Sequence, residues 1–171
     1  MDSLEQKRLQ ALRDLNVLDT GPSPELDRIT GLASRIFGAP IALVSLVDEN
    51  RQWFKSRCGL DATETPREWA FCDHAIRSAD VMEVLDARAD PRFRENPLVT
   101  GPPDIRYYCG APLITQDGDR LGTLCIIDDK PRGEAMSQGK RLLLSELAGQ
   151  AIREIERLNA AEPAVAAAVG T

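Results

Sequence analysis

Cys72 and His74 stand two residues apart in the run Phe71-Cys72-Asp73-His74-Ala75-Ile76, and His74 is the single histidine of the chain. A thiol and an imidazole are the side chains best suited to nucleophilic or proton-transfer chemistry near neutral pH. Structural zinc needs about four nitrogen or sulfur ligands, and positions i and i+2 of a helix point to different sides, so this pair does not build such a site. The bland reading of His74 is a hydrogen-bonded structural residue. The four cysteines are scattered, which fits free thiols in a reducing compartment, with inert packing as their ordinary role. Arg67, Arg88, Arg92, Arg94 and Arg106 could grip a carboxylate or phosphate. Asp86, Asp90, Glu95 and Asp104 interleave with them, so surface pairing is the competing reading.

These residues need a scaffold, and 171 residues suffice for one compact domain with flanking helices. The net charge of −6 argues against general nucleic-acid binding, which depends on cations neutralising phosphates. No apolar run approaches the roughly 20 residues of a membrane span, and the first ten residues carry no secretory signal, so a cytoplasmic location is expected. Leu4, Arg8, Ala11, Leu12, Leu15 and Leu18 predict one face of a first helix, stopped by Asp19-Thr20-Gly21-Pro22. Ser23 followed by Pro24 caps a second helix that ends at Gly38. Ile41 to Asp48 is short and β-branched, predicting a central strand, with Gln52 to Cys58 as its hairpin partner.

Trp69 to Ser78 predicts a short helix that carries Cys72 and His74. Val81 to Leu85 predicts a short strand. Asp86 to Pro103 contains four prolines and predicts an irregular loop with at most one helical turn. A loop of that length inside a compact domain is usually functional. Ile105 to Thr115 and Arg120 to Asp128 predict a hairpin about Asp117-Gly118. Ser137 to about Asn159 is the longest predicted helix, with Leu144, Ala148, Ala151, Ile155 and Leu158 as a candidate seam for a partner helix and Leu143 and Leu147 as a stripe for the domain's own sheet. Beyond Ala160 the sequence AEPAVAAAVGT has little to bury and reads as a disordered end.

In order along the chain, DENRQWFKSRCGL, FCDHAI, DPRFRENPLVTG, RYYCGAPL and GTLCIID resemble the GAF domains of bacterial sensor histidine kinases and diguanylate cyclases. The resemblance implies an α+β sandwich: a GAF/PAS-like antiparallel sheet of about five or six strands, terminal helices on one face and pocket-forming loops on the other. It divides the chain into an N-terminal helix (1–22), a core (23–136), a signalling and dimerisation helix (137–160) and a tail (161–171). By block position it carries ligand contacts onto Phe71, Cys72, His74, Asp86, Arg92, Phe93, Asn96, Tyr107, Tyr108 and Asp128. Phe93 is read either as the aromatic plug of a closing loop or as a simple anchor.

The expected function is a non-catalytic sensor domain that binds an unidentified small molecule and relays it through the terminal helices, as a homodimer joined at the last helix, to a kinase or cyclase partner. One alternative is a structural dimerisation module with an empty pocket. Another is a thiol-dependent methionine sulfoxide reductase of the same fold, with Cys72 in a matching position but the remaining cysteines out of pattern. Covalent bilin attachment is disfavoured because Asp73 separates Cys72 from His74, and the signature of cyclic-nucleotide-binding members does not occur.

Overall fold

A computed structural model describes the backbone of residues 2–169 and the side chains of residues 2–161. Helix α1 (Ser3–Asp14) starts at Asp2, whose carboxylate accepts from the Leu4 amide at 3.0 Å. Helix α2 (Pro24–Phe37) is capped by the Ser23 hydroxyl and ends in the left-handed Gly38, as its sequence signals require. Strands β1 (Ile41–Val47) and β2 (Arg51–Cys58) form the expected hairpin, and β3 (Glu64–Pro66) lies on its outer edge. Next come helix α3 (Phe71–Ala75) and strand β4 (Met82–Val84). The proline-rich loop carries a 3-10 turn at Ala87–Ala89 and the four-residue helix α4 (Pro97–Thr100), more order than the single turn expected. Asp86 and Asn96 supply the difference by capping these two turns with their side chains.

Strands β5 (Tyr107–Ile114) and β6 (Arg120–Asp128) complete a six-stranded antiparallel sheet in the order β3-β2-β1-β6-β5-β4. The two central strands approach closely at Gly122, where a Cβ would lie 1.8 Å from the Ser45 carbonyl oxygen. Because side chains alternate across a strand, the sheet divides the core in two. On one face α2 and the last helix, α5 (Gln138–Val169), pack against Ala42, Val44, Leu46, Tyr107, Cys109, Leu124 and Ile126. On the other, α3 and the proline-rich loop cover Leu43, Phe54, Tyr108, Cys125 and Ile127.

Two expectations about the helices are corrected. Leu4 is 74% exposed, and α1 instead buries Arg8, Leu9 and Leu12. Arg8 takes an inward position because its guanidinium donates to the Val47 carbonyl oxygen at 2.7 Å and to the Glu5 carboxylate. On α5, Leu144, Ala148, Ala151 and Ile155 are buried together with Leu147 and Ile152 against the domain's own sheet, so four of the five residues of the expected partner seam are already occupied. Two adjoining stripes make one apolar face wide enough for a sheet, broader than the narrow seam of a coiled coil. The α5 backbone continues past Asn159 to Val169, through a stretch whose alanines favour helix although Pro163 lies within it. Residues 170 and 171 of the expected disordered tail lie outside the described residues. Among the described residues, no helix is long and apolar enough to cross a membrane.

Candidate functional site

Helix α3 crosses the loop face of the sheet and places Phe71 and Cys72 inward. The proline-rich loop places Phe93 against them, and Phe93 is only 1% exposed. The Phe71 and Phe93 rings stack with centroids 4.0 Å apart at 7°, Tyr108 leans on Phe71 at 5.2 Å, and His74 meets the Phe93 ring edge-on at 4.9 Å. The space beneath the loop is therefore filled by the protein's own aromatic side chains. The loop is held down at Asn96, whose side-chain amide donates to the Trp69 carbonyl oxygen at 3.0 Å while its oxygen accepts from the Leu98 amide at 2.9 Å. Arg92 lies over the Phe93 ring at 5.0 Å and is paired with Asp90 at 2.8 Å.

Under the aromatic layer lies a polar floor. Cys72 Sγ is 3.2 Å from the Tyr108 hydroxyl and 3.0 Å from the Thr123 hydroxyl, and those two hydroxyls are 3.3 Å apart. The Tyr108 ring folds back over Gly110: a Cβ there would lie 2.3 Å from Tyr108 Oη. Burial alone would raise the Cys72 thiol, but hydrogen bonds from Cys125, Thr123, Tyr108 and Ser45 outweigh it and hold the thiol down to about 7. Burial, the neighbouring thiols and the Cys72 hydrogen bond push the Tyr108 hydroxyl up, and the hydrogen bond to Cys72 together with burial pushes Cys125 up. His74 is lowered, first by burial and then by the charge of Arg77.

Four of the ten expected residues (Phe71, Cys72, Phe93 and Tyr108) form this centre, with His74, Arg92 and Asn96 around its edge. The other three lie elsewhere. Asp86 caps its own turn by accepting from the Arg88 amide at 3.1 Å. Tyr107 faces the helices, because adjacent strand residues point to opposite faces. Its hydroxyl donates to Glu83 Oε2 at 2.6 Å, and Glu83 also accepts from the Met136 amide at 2.9 Å, just ahead of α5. Burial and that negative neighbour push the Tyr107 hydroxyl up. Asp128 pairs with Arg132 at 3.1 Å, whose guanidinium lies 4.7 Å over the Tyr107 ring. Tyr107 and Asp128 thus belong to the mooring of α5.

Sequence reasoning missed Thr123, Cys125 and Ser45, although each interrupts an apolar strand with a small polar or thiol side chain on the loop face. It also missed Glu83, a lone carboxylate in a three-residue strand, for which no sequence signal existed. A second omission is a chain of ion pairs that ties α1 to α3. Glu5 pairs with Arg8 at 2.8 Å and Arg67 at 2.6 Å, and Asp73 with Arg67 at 2.9 Å and Arg77 at 3.1 Å. The hydrogen bond from Arg8, opposed by burial and joined by Arg67, lowers Glu5 to about 2.

A cyclic di-GMP phosphodiesterase of Pseudomonas aeruginosa is 47% identical over 129 residues, covering 75% of this chain and 22% of the relative, so the chain spans about a fifth of that protein's length. A type II free methionine-R-sulfoxide reductase from Thermoplasma acidophilum superposes with a TM-score of 0.63 at 14% identity, covering 91% of this chain and 96% of that one. A domain of a two-component sensor histidine kinase protein from Sinorhizobium meliloti gives 0.60 at 17% identity, covering 81% and 93%. At such identities the structural likeness speaks for the fold. The model of the GAF domain matches residues 22–155, which takes in the sheet, the loop and most of α5's buried face. With the six-stranded antiparallel sheet, its helix-covered face and its loop-covered face, the chain belongs to the GAF domain family.

Proposed function

We propose that this domain is a non-catalytic regulatory module in which the loop-side centre takes up a small molecule in place of Phe93 and the consequence is delivered to α5 through β5. One observation carries this reading: Tyr108 bonds to the loop-side floor at Cys72, while its neighbour Tyr107 holds Glu83 and, through it, the segment that starts α5. A shift or twist of β5 at this dipeptide therefore changes both sites together. A ligand acts only through different affinity for the two arrangements, here with the loop closed on Phe93 or withdrawn from it. The output is proposed to be a cyclic-dinucleotide enzyme or a kinase joined to the same polypeptide or met as a partner, by analogy with the proteins in which similar domains occur. Any dimer contact through α5 would use its outward side, where Leu142 is 57% exposed.

Native mass spectrometry of the protein purified from bacterial cytosol, compared with the same sample denatured, tests the reading. A small molecule released on denaturation is expected, and adding it back should expose the amides around Phe93 to hydrogen exchange. Cytosolic metabolite pools that leave the protein's mass and the protection of this loop unchanged would contradict it.

A further inference from the structure

Cys72 Sγ lies within 3.2 Å of the Tyr108 hydroxyl, which sits over Gly110, and Gly110 is the register partner of Cys125 on β6. Cys72 Sγ is also 3.0 Å from Thr123, which precedes Cys125 by two residues and so shares its face of the strand. These contacts place both thiols around one pair of hydroxyls on the loop face, and the two thiols hydrogen-bond to each other. Both are fully buried, in a pocket of hydroxyl donors able to stabilise a thiolate. Cys109 provides an internal contrast: it belongs to the helix-side core, and burial raises its thiol to about 12.

We infer that Cys72 and Cys125 form an oxidation site, with Cys72 as the thiol attacked by a small hydroperoxide and Cys125 as the thiol that resolves it to an intramolecular disulfide. In the first step the Cys72 thiolate, its proton already released to solvent, attacks the distal peroxide oxygen. An S–O bond forms and the O–O bond breaks. The departing alkoxide or hydroxide takes up a proton, leaving as alcohol or water, and Cys72 becomes a sulfenic acid. Cys125 then attacks that sulfur; the S–S bond forms, the S–O bond breaks, and the hydroxide leaves with the Cys125 proton as water. Two thiols lose two electrons and the peroxide gains them. The Cys125, Thr123, Tyr108 and Ser45 side chains that hydrogen-bond to Cys72 lower its thiol and so favour its thiolate relative to that of an ordinary cysteine. Closing the bond removes the Cys72 contacts to Tyr108 and Thr123, so oxidation acts on the same floor that touches β5. Cys72 is 1% exposed beneath Phe71 and Phe93, so the peroxide enters when the loop lifts, the opening on which the proposed function also rests, but the site requires no ligand beyond the peroxide.

The test treats the reduced, folded protein with hydrogen peroxide, blocks remaining thiols and reads intact and tryptic masses. Expected are a loss of about 2 Da before blocking, two fewer blocked cysteines after it, and a linked pair of peptides, Glu68–Arg77 with Leu121–Arg132. Cys125→Ser should instead trap a Cys72 sulfenic acid detectable with dimedone, and Thr123→Val should slow the wild-type reaction about fivefold or more by removing one donor from the thiolate. Cys109→Ala should change neither product nor rate. No link between these peptides in natively folded protein, or oxidation of Cys109 as fast as Cys72, would overturn the assignment. Retention of the link and rate in Thr123→Val would overturn the role given to the hydroxyl floor.

Discussion

Replacing Phe93 by alanine tests whether the loop is closed by a structural plug. The Phe93 ring is buried, stacked at 4.0 Å on Phe71 and touched edge-on by His74. Truncating a buried phenylalanine costs about 3 to 5 kcal/mol through lost transfer energy and the cavity left behind, and the stacked pair adds about 0.5 to 1.5 kcal/mol in favourable cases. Loop relaxation into the space works against this, although the Asn96 tether, the Ala87–Arg106 and Leu98–Ile105 main-chain bonds and the Arg106 bond to the Val99 carbonyl limit it. An outcome of about 2 to 4 kcal/mol is therefore expected. Urea titration followed by far-UV circular dichroism, with the slope checked against wild type, measures it. Amide exchange of residues 86–103 should accelerate more than that of β1. A loss below about 1 kcal/mol with the loop still protected would refute the plug, since a well-packed buried ring cannot be removed so cheaply.

Gly110→Ala puts a Cβ 2.3 Å from the Tyr108 hydroxyl, and the buried ring has nowhere to retreat. A loss of about 2 kcal/mol or more is expected in urea titration, with a changed Cys72 reactivity. Tyr107→Phe removes the 2.6 Å donation to Glu83. A cost of about 1.5 to 3 kcal/mol and faster exchange at the start of α5 should follow. The Glu5 carboxyl, lowered to about 2, contributes stability that is complete above its unfolded value near 4.3 and lost as pH falls through about 2. Discounted for the solvent around it, the contribution is about 1 to 2 kcal/mol, and it should vanish from the acid limb of a stability–pH curve in Glu5→Gln.

How much of this was legible in the sequence depends on how local the signal was. Caps at Ser23 and turns at Gly38 and Asp117-Gly118 announced element boundaries because their chemistry lies within a few residues. The alternation in Tyr107-Tyr108 already required opposite faces, yet block resemblance placed both tyrosines in one pocket; the strand period was the better guide. The α5 apolar positions were read correctly as buried, but periodicity cannot say which surface buries them, and the sheet took what was assigned to a partner. Phe93's burial followed from no spacing rule, since it depends on where the loop returns. The Arg8, Glu5, Arg67 and Asp73 chain joins residues far apart in sequence, and charge patterning along a single helix has no access to such pairs.

The coupling across β5 is tested most directly by hydrogen exchange in Phe93→Leu, which disturbs the loop side while keeping an apolar side chain. Amides in the first two turns of α5 should exchange at least about tenfold faster than in wild type, while those of α2, on the same sheet face but packed over β1 and β2, keep their rates. Adding Tyr107→Phe should erase the further effect of Phe93→Leu on α5. Unchanged α5 rates, or equal acceleration in α2 and α5, would contradict transmission through the Tyr107-Tyr108 step.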